Sequence, residues 1–270
     1  MQRAALLAQS SALISRFRSL APVTEADIAF LMGSLGPVER YPSGTELLRE
    51  GEIIPGPRYI LAGWALRTRY LSDGRRQIFG FVLPGEPIGL CEREQPLALT
   101  NLVTCTPVAL SDASGVRAVC LGLGHDHPQI ARAHKRAMAL DEAYLLHQII
   151  RIGRQTAYER LVHLLLELNS RCHAAGLSDG SSFELPLTQE ILADCLGLSI
   201  VHVNRTLQTL RREQLIDQRP PILTIRSKEK LIAIAEYSDP QVAVLRWENH
   251  RSHLSARSLC LSSVDSKDCE

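Results

Sequence analysis

Apolar residues near the start of the chain recur at the spacing of an amphipathic helix. Residues 4 to 20 have this spacing, and they end near Ala21-Pro22. A second helix is predicted to begin after Thr24, because its hydroxyl and Asp27, three residues further on, can form the two halves of a capping box. The pattern therefore predicts two helices in this part of the chain.

From residue 41 to about residue 110 the pattern changes to short apolar or β-branched runs separated by glycines. Gly63, Gly74 and Gly85 follow one another at eleven-residue steps, a spacing typical of short strands joined by turns. The segment Ser72-Asp73-Gly74 is typical of a hairpin turn. This region is predicted to form a small β-roll or barrel.

A long helix is predicted from Pro128 to about Ile152, because no glycine or proline interrupts this segment. It carries a narrow apolar seam that follows a heptad, formed by Ile130, Ala133, Ala137, Leu140 and Tyr144. We expect two copies of the chain to pair through this seam, although the same pattern would fit packing on the chain's own β-roll. Gly153 predicts a hinge before a further apolar helix, from about residue 157 to residue 168.

Residues 188 to 213 have the pattern of a helix-turn-helix. Thr188 can cap a first helix, Gly197-Leu198 can form a tight turn, and Ser199 can cap a second helix. One face of the second helix is apolar and carries Val203, Leu207 and Leu210. The opposite face carries Val201, Arg205, Gln208 and Arg212.

The opposite face of this second helix combines two arginines and a glutamine with no carboxylate. Cations of this kind can bind phosphates, and planar donors can read base edges in a major groove. A solvated helix face, or a helix-turn-helix used for protein contacts, would show a similar pattern. From residue 199 to residue 230 there are seven Lys and Arg against three acids. Within this segment, residues 215 to 225 predict a short hairpin, the wing, with Arg219 in its turn.

Composition excludes several classes of protein. Of the 270 residues, 45% are hydrophobic and 22% are charged, as in a globular chain, and the net charge is only +1. The seven cysteines contain no CxxC pair, which favours reduced thiols. No apolar run approaches the roughly twenty residues of a membrane span, and arginines interrupt the stretch where a signal peptide would lie, so we expect a cytoplasmic protein with no membrane partner. No enzyme motif and no metal motif is found.

The residues of the helix-turn-helix resemble a known family. Leu187 to Ser199 (LTQEILADCLGLS) and Val201 to Leu207 (VHVNRTL) resemble the DNA-binding motif of CRP/FNR-type bacterial transcription regulators. Several upstream segments are similar to the family's cyclic-nucleotide-binding-like roll: Pro42-Ser43-Gly44, Glu50-Gly51, Gly63-Trp64, Asp73 to Ile78, Leu83 to Glu86 and Ile88-Gly89. The resemblance covers roughly residues 25 to 240.

The resemblance implies an α+β fold with a defined order of parts. Residues 1–127 would form N-terminal helices and a jelly-roll-like sensor domain, 128–153 a dimerisation helix and hinge, and 154–240 a winged helix-turn-helix domain. Residues 241–270 are expected to be a mobile tail. A homodimer would place two recognition helices in successive major grooves of a palindromic operator, with RNA polymerase as a further partner.

Arg205 matches the family's recognition arginine, which reads a guanine. Val201 stands where the family commonly has a glutamate that accepts a hydrogen bond from cytosine, and a valine can contact a thymine methyl group instead. The remaining candidates for DNA contact lie on or beside the same surface: Thr188, Gln189, Ser199, His202, Asn204, Gln208 and Arg212.

The signal that the sensor receives is left open by the sequence. In cyclic-AMP-binding members the roll supplies a Gly-Glu pair, which Gly85-Glu86 resembles, and an Arg-Ser pair, where this chain has Pro96-Leu97-Ala98. Burying the phosphate without a partner would cost several kcal/mol, so cyclic AMP is not expected. No Cys precedes Cys91, so an iron–sulfur cluster of the family's FNR-like branch is not expected either. The alternative function is a thiol-based redox or ligand sensor that acts through protein contacts.

Overall fold

The structure, a computed structural model, describes residues 10–123 and 126–244. Part of the first predicted helix and most of the predicted tail lie outside these residues. The described helices and strands follow one another as α1 (Ser11–Leu20), α2 (Glu25–Ser34), β1 (Val38–Tyr41), β2 (Glu46–Leu48), β3 (Arg58–Ala62), β4 (Ala65–Tyr70), β5 (Arg76–Val82), β6 (Pro87–Ile88), β7 (Asn101–Thr104), β8 (Val108–Asp112), α3 (Ser114–Cys120), α4 (Pro128–Arg154), α5 (Ala157–Ala174), β9 (Ser182–Glu184), α6 (Gln189–Leu196), α7 (Ile200–Arg212), β10 (Ile216–Arg219), β11 (Ile222–Ile225) and α8 (Lys228–Ala235). The predicted α+β fold is confirmed.

The β-roll consists of two four-stranded antiparallel sheets, with strand orders β1-β8-β3-β6 and β2-β7-β4-β5. The predicted turn around Gly74 joins β4 to β5, and Gly74 has a positive φ of 86°. Gly63 also requires a glycine, because a Cβ atom at this position would lie 2.1 Å from the Pro107 carbonyl oxygen. Alternating residues of the two sheets, such as Ile60, Val82 and Leu110, fill the space between them.

The capping box predicted at the start of α2 is present. The Asp27 amide donates to Thr24 Oγ1 at 3.1 Å, and the Thr24 amide donates to Asp27 Oδ2 at 2.7 Å. The second oxygen of Asp27 lies 2.7 Å from His127 Nδ1, directly before α4. Burial would raise the pKa of Asp27, but its hydrogen bonds from Thr24 and His127 lower the pKa below its usual value. One carboxylate thus caps α2 and ties it to the start of the long helix.

The seam predicted on the long helix faces the chain's own interior. Ile130 and Leu140 are 0% exposed, Ala133 and Tyr144 are buried, and Ala137 is half-buried. This side of α4 packs against α1, α3 and β5. The expectation that these five residues pair with a second copy is therefore wrong, and the alternative of packing on the same chain is correct. Periodicity identifies residues that share a face, but it does not say what covers that face.

A second row of apolar residues on α4 is exposed. Its members, which we call the α4 stripe, are 41% to 62% exposed: Met138, Leu145, Leu146, Ile149, Ile150 and Ile152. Met138, Leu145, Ile149 and Ile152 follow one another at steps of seven, four and three, which is also a heptad spacing. The long helix is thus apolar on two faces, and the chain covers only one of them.

The long helix continues through Gly153 and ends at Arg154. Thr156 then caps α5, and Glu159 completes a second capping box, which was not predicted from the sequence. Helix α5 is buried along most of its length, and its leucines join residues of the roll and of the C-terminal helices in one apolar core. None of the described helices combines the length and apolar composition that a membrane-spanning segment needs.

Candidate nucleic-acid interface

Helices α6 and α7 form the predicted helix-turn-helix, and local side-chain chemistry sets their ends. Thr188 Oγ1 accepts a hydrogen bond from the Ile191 amide at 3.2 Å at the start of α6. Ser199 Oγ accepts one from the His202 amide at 3.3 Å at the start of α7. Gly197 ends α6 with a φ of 63°, a left-handed conformation that favours glycine. These three positions were all predicted from the sequence.

Helix α7 is amphipathic, and its buried face fixes which face points to solvent. Val203, Leu207 and Leu210 are at most 2% exposed and join the apolar core. The opposite face is exposed and carries Val201, Arg205, Gln208 and Arg212, as predicted. Val201 is 64% exposed at the beginning of the helix, where Ile200 is also half exposed. The outer face thus begins with an apolar patch and continues with polar side chains.

The two arginines of this face are available for a partner. Within the described chain neither Arg205 nor Arg212 has a hydrogen bond or an ion pair with another side chain. Gln208 donates from Nε2 to Asn204 Oδ1 at 3.3 Å, and His202 Nδ1 lies 3.0 Å from Ser199 Oγ. Two free guanidinium groups on an exposed face without acids can bind phosphate oxygens or base edges.

The other predicted contact residues lie around this face. Thr188 and Ser199 are exposed at the two helix starts, and Gln189 is half-buried in the first turn of α6. The predicted wing is present: β10 and β11 form an antiparallel hairpin, to which β9 adds a third strand. Arg219, at the wing, has a side chain that is 87% exposed and lies 3.6 Å from Asp217.

A network of buried charged side chains connects α4, α5 and the β-roll. Arg151 NH1 lies 2.6 Å from Glu167 Oε2, and Arg171 NH1 lies 3.3 Å from Glu167 Oε1. Arg171 NH2 in turn lies 2.7 Å from Glu86 Oε2. Burial would raise the pKa of Glu167, but the positive charge of Arg151 lowers it to about 2. The four side chains are at most 6% exposed and their charges alternate in sign.

Glu86 belongs to this network of charges, so the Gly85-Glu86 pair, which resembles part of the effector site of cyclic-AMP-binding members, offers no free carboxylate. The Glu86 carboxylate accepts hydrogen bonds from the Leu83 amide and from Arg171 Nε and NH2, at 2.7 to 3.1 Å. Burial would raise its pKa, but the charge of Arg171 holds the pKa below its usual value. Gly85 packs against the backbone of Ala12. The Glu86 carboxylate is therefore occupied by an arginine of the chain itself, which lies 85 residues away in the sequence.

The roll and α4 line a separate cavity of about 630 Å³ that is open to solvent. Its lining is mainly apolar and includes Ile54, Phe79, Leu90, Leu97, Met138 and Leu145. Three charged residues also line it: Arg67 and Asp141, which bind each other at 3.1 Å, and Arg93, which is exposed. Gly85 and Glu86 are not among the residues that line this cavity.

Four of the five described thiols are held in their protonated form. Burial raises the pKa of Cys105 and Cys120 to about 11, and that of Cys172 and Cys195 to about 12. A thiol with so high a pKa is a poor nucleophile at neutral pH. These four cysteines therefore do not support a redox sensor.

Comparison with known proteins agrees with this geometry. The family model of the Crp-like helix-turn-helix domain matches residues 159–234. The nitrogen fixation regulation protein FixK of Rhizobium meliloti is 30% identical over 183 residues, which make up 67% of this chain and 79% of that protein. The transcriptional activator protein FnrL of Cereibacter sphaeroides is 28% identical over 184 residues, or 65% of this chain and 71% of that protein.

The fold has relatives of known structure. The structure of FixK2 from Bradyrhizobium japonicum matches with a TM-score of 0.64 at 24% identity, and the match covers 75% of this chain and 98% of that one. The sequence relatives, the matching domain and the exposed basic face of α7 lead to one conclusion: the chain belongs to the CRP/FNR family of DNA-binding transcription regulators.

Proposed function

We propose that this regulator binds a palindromic operator as a homodimer, with α7 as the recognition helix and Arg205 as the residue that reads a guanine. The observation that carries the proposal is the free guanidinium of Arg205 in the middle of an exposed face without acids. Val201 precedes it by one turn and offers an apolar surface suited to a thymine methyl group. Thr188, Gln189 and Ser199 lie at helix starts, where backbone amides favour phosphate contacts.

Arg205→Ala should lose operator preference while retaining nonspecific binding. A guanidinium can donate two hydrogen bonds to guanine O6 and N7, which contribute about 1–3 kcal/mol of discrimination for each base pair. The measurement is the affinity of the variant for a selected operator and for a scrambled duplex at two salt concentrations. Full discrimination by Arg205→Ala would show that α7 does not read the sequence through this residue.

Arg212→Ala is the matched control, because Arg212 lies on the same face two turns further along the helix. We expect it to contact phosphate, so that its loss weakens binding to all duplexes equally and lowers the salt slope by about one. A loss of operator preference in this variant, with no change in the salt slope, would exchange the roles given to the two arginines.

The α4 stripe is the proposed contact between the two subunits. It is a group of six exposed apolar side chains, four of them at heptad spacing, and an exposed apolar surface of this extent is unusual in a monomer. Pairing through this stripe would place the two long helices side by side. RNA polymerase is a further proposed partner, because several relatives, FnrL among them, are named transcriptional activators.

The cavity between the roll and α4 is the proposed site at which a signal molecule binds. Its mainly apolar lining, the mutual pairing of Arg67 and Asp141, and the exposure of Arg93 to water favour an apolar ligand over a cyclic nucleotide. We therefore expect isothermal titration calorimetry with cyclic AMP to give no binding heat, because burying its phosphate among apolar side chains is costly, Arg67 is already paired with Asp141, and Arg93 is exposed to water. A micromolar dissociation constant would contradict this expectation.

The alternative, a thiol-based sensor that acts only through protein contacts, is less well supported. It would need a reactive thiol, and four of the five described cysteines are held protonated by burial, which leaves Cys91 as the remaining described candidate. It would also leave the exposed basic face of α7 without a role. A salt-dependent, sequence-selective shift of a DNA duplex by the purified protein separates the two functions.

A further inference from the structure

The C-terminal end of α6 is held by side chains from three other parts of the chain. The last four carbonyl groups of a helix have no partner within the helix and must find one elsewhere. In α6 the Ala193 carbonyl accepts from the Leu198 amide, at 3.0 Å. The other three carbonyls all accept from distant side chains, so this helix end is fixed from outside the helix-turn-helix.

Strand β5 of the sensor supplies the largest part of this contact. Gln77 donates from Nε2 to the Asp194 carbonyl at 3.2 Å and to the Cys195 carbonyl at 3.4 Å. Its neighbour Arg76 binds the Asp194 carboxylate through Nε at 2.7 Å and through NH2 at 2.6 Å. Two adjacent residues of the sensor thus hold both the backbone and the side chain of one residue of α6.

The long helix and α5 complete the contact. Gln148 of α4 donates to the Cys195 carbonyl, and Arg160 of α5 donates from NH1 to the Leu196 carbonyl at 2.9 Å. Helix α6 packs directly on α7, so the direction of the recognition helix depends on how α6 is held. The exposed face of α7 points away from this contact and remains open.

The same strand lines the cavity. Phe79 lies two residues beyond Gln77 in β5, about 7 Å along the strand, and it lines the 630 Å³ cavity together with Val82 of the same strand. A change in the cavity that moves β5 would therefore act on α6 within the same subunit. This path does not require a change in the pairing of the long helices.

We propose that strand β5 positions the helix-turn-helix for operator binding, with Arg76 and Gln77 as positioning residues that hold the end of α6. The proposal rests on the assignment of α7 as the recognition helix. It adds a direct connection between the sensor and the DNA-binding surface within one subunit. Because the contact leaves the reading face of α7 exposed, it supports DNA binding and does not oppose it.

A charge exchange tests this role. Arg76→Glu and Asp194→Arg each place two like charges in contact, and each should weaken operator binding about tenfold while leaving binding to scrambled duplexes unchanged. The double variant, Arg76→Glu with Asp194→Arg, restores an opposite pair and should recover most of the operator affinity. A purely structural role would not separate operator binding from nonspecific binding in this way.

Arg75→Glu provides the matched control. Arg75 is adjacent to Arg76, but its side chain is 76% exposed and pairs with Asp73 within the same turn. The operator affinity of the Arg75→Glu variant should equal that of the unaltered protein. Thermal unfolding followed by circular dichroism verifies that every variant is folded.

The possible outcomes distinguish failure of the positioning role from failure of the proposed function. Single variants that bind the operator as tightly as the unaltered protein, or more tightly, would overturn the positioning role. Failure of the double variant to recover affinity would also overturn it, because the effect would then not depend on the Arg76–Asp194 pair. If the unaltered protein itself shows no operator preference, the proposed function fails instead.

Discussion

Arg171→Met is expected to lower the free energy of unfolding by about 3–5 kcal/mol. The substitution keeps an unbranched side chain of similar length but removes the charge between two buried carboxylates, those of Glu86 and Glu167. Glu167 keeps Arg151 as a partner, whereas Glu86 loses both of its hydrogen bonds to a guanidinium. A buried charge left without its partner costs far more than the pair contributes as a whole.

The measurement is chemical denaturation of the variant and of the unaltered protein. Arg18→Met is the control, because Arg18 pairs with Glu25 on the surface, with side chains that are 52% and 86% exposed. Such a pair contributes at most about 1 kcal/mol. The double variant Glu86→Met with Arg171→Met removes both charges and should recover much of the lost stability. Equal stability of Arg171→Met and the unaltered protein would contradict the account of this buried pair.

Ile149→Glu is expected to convert the proposed dimer into a monomer at micromolar concentration. Ile149 is 62% exposed, the largest value in the α4 stripe, so the change should not disturb the fold of one subunit. In a paired stripe the two new carboxylates would be buried close to each other, at a cost of several kcal/mol, which corresponds to a loss of about a hundredfold or more in dimer affinity.

Sedimentation velocity measures this change directly. Leu123→Glu is the control, since Leu123 is 73% exposed outside the stripe and should leave the dimer intact. Sedimentation of the unaltered protein as a monomer at micromolar concentration would show that the stripe does not pair subunits. Dimers that persist in Ile149→Glu would place the contact elsewhere on the chain.

The helix-turn-helix was predictable because its signals are local. Thr188, Gly197 and Ser199 act on residues within four positions of themselves, and the heptad-like spacing of Val203, Leu207 and Leu210 fixes the buried face of a single short helix. The turn at Gly74 and the capping box of α2 were predictable for the same reason. Residue type and spacing determine such features almost independently of the rest of the fold.

The long helix shows where prediction from the sequence ends. Both of its faces carry apolar residues at heptad spacing. The sequence pattern assigned subunit pairing to the face that contains Leu140, which the chain itself buries, whereas the proposed pairing uses the exposed face around Ile149. Deciding between them requires the position of the β-roll, which depends on contacts between distant segments. The pairing of Glu86 with Arg171 was not predictable for a similar reason, because no periodic pattern links residues that lie 85 positions apart.

The apolar core shared by the β-roll and the helix-turn-helix limits how this regulator can evolve. Trp64 and Phe81 of the roll belong to the same core as Leu165 of α5 and Phe183 of β9. Close-packed interiors tolerate changes best when volume is conserved on both sides of a contact. Recombination that joined this β-roll to the DNA-binding half of a relative would therefore bring together two unmatched surfaces. New operator specificity is more accessible through substitutions on the exposed face of α7, where side chains can change without disturbing that core.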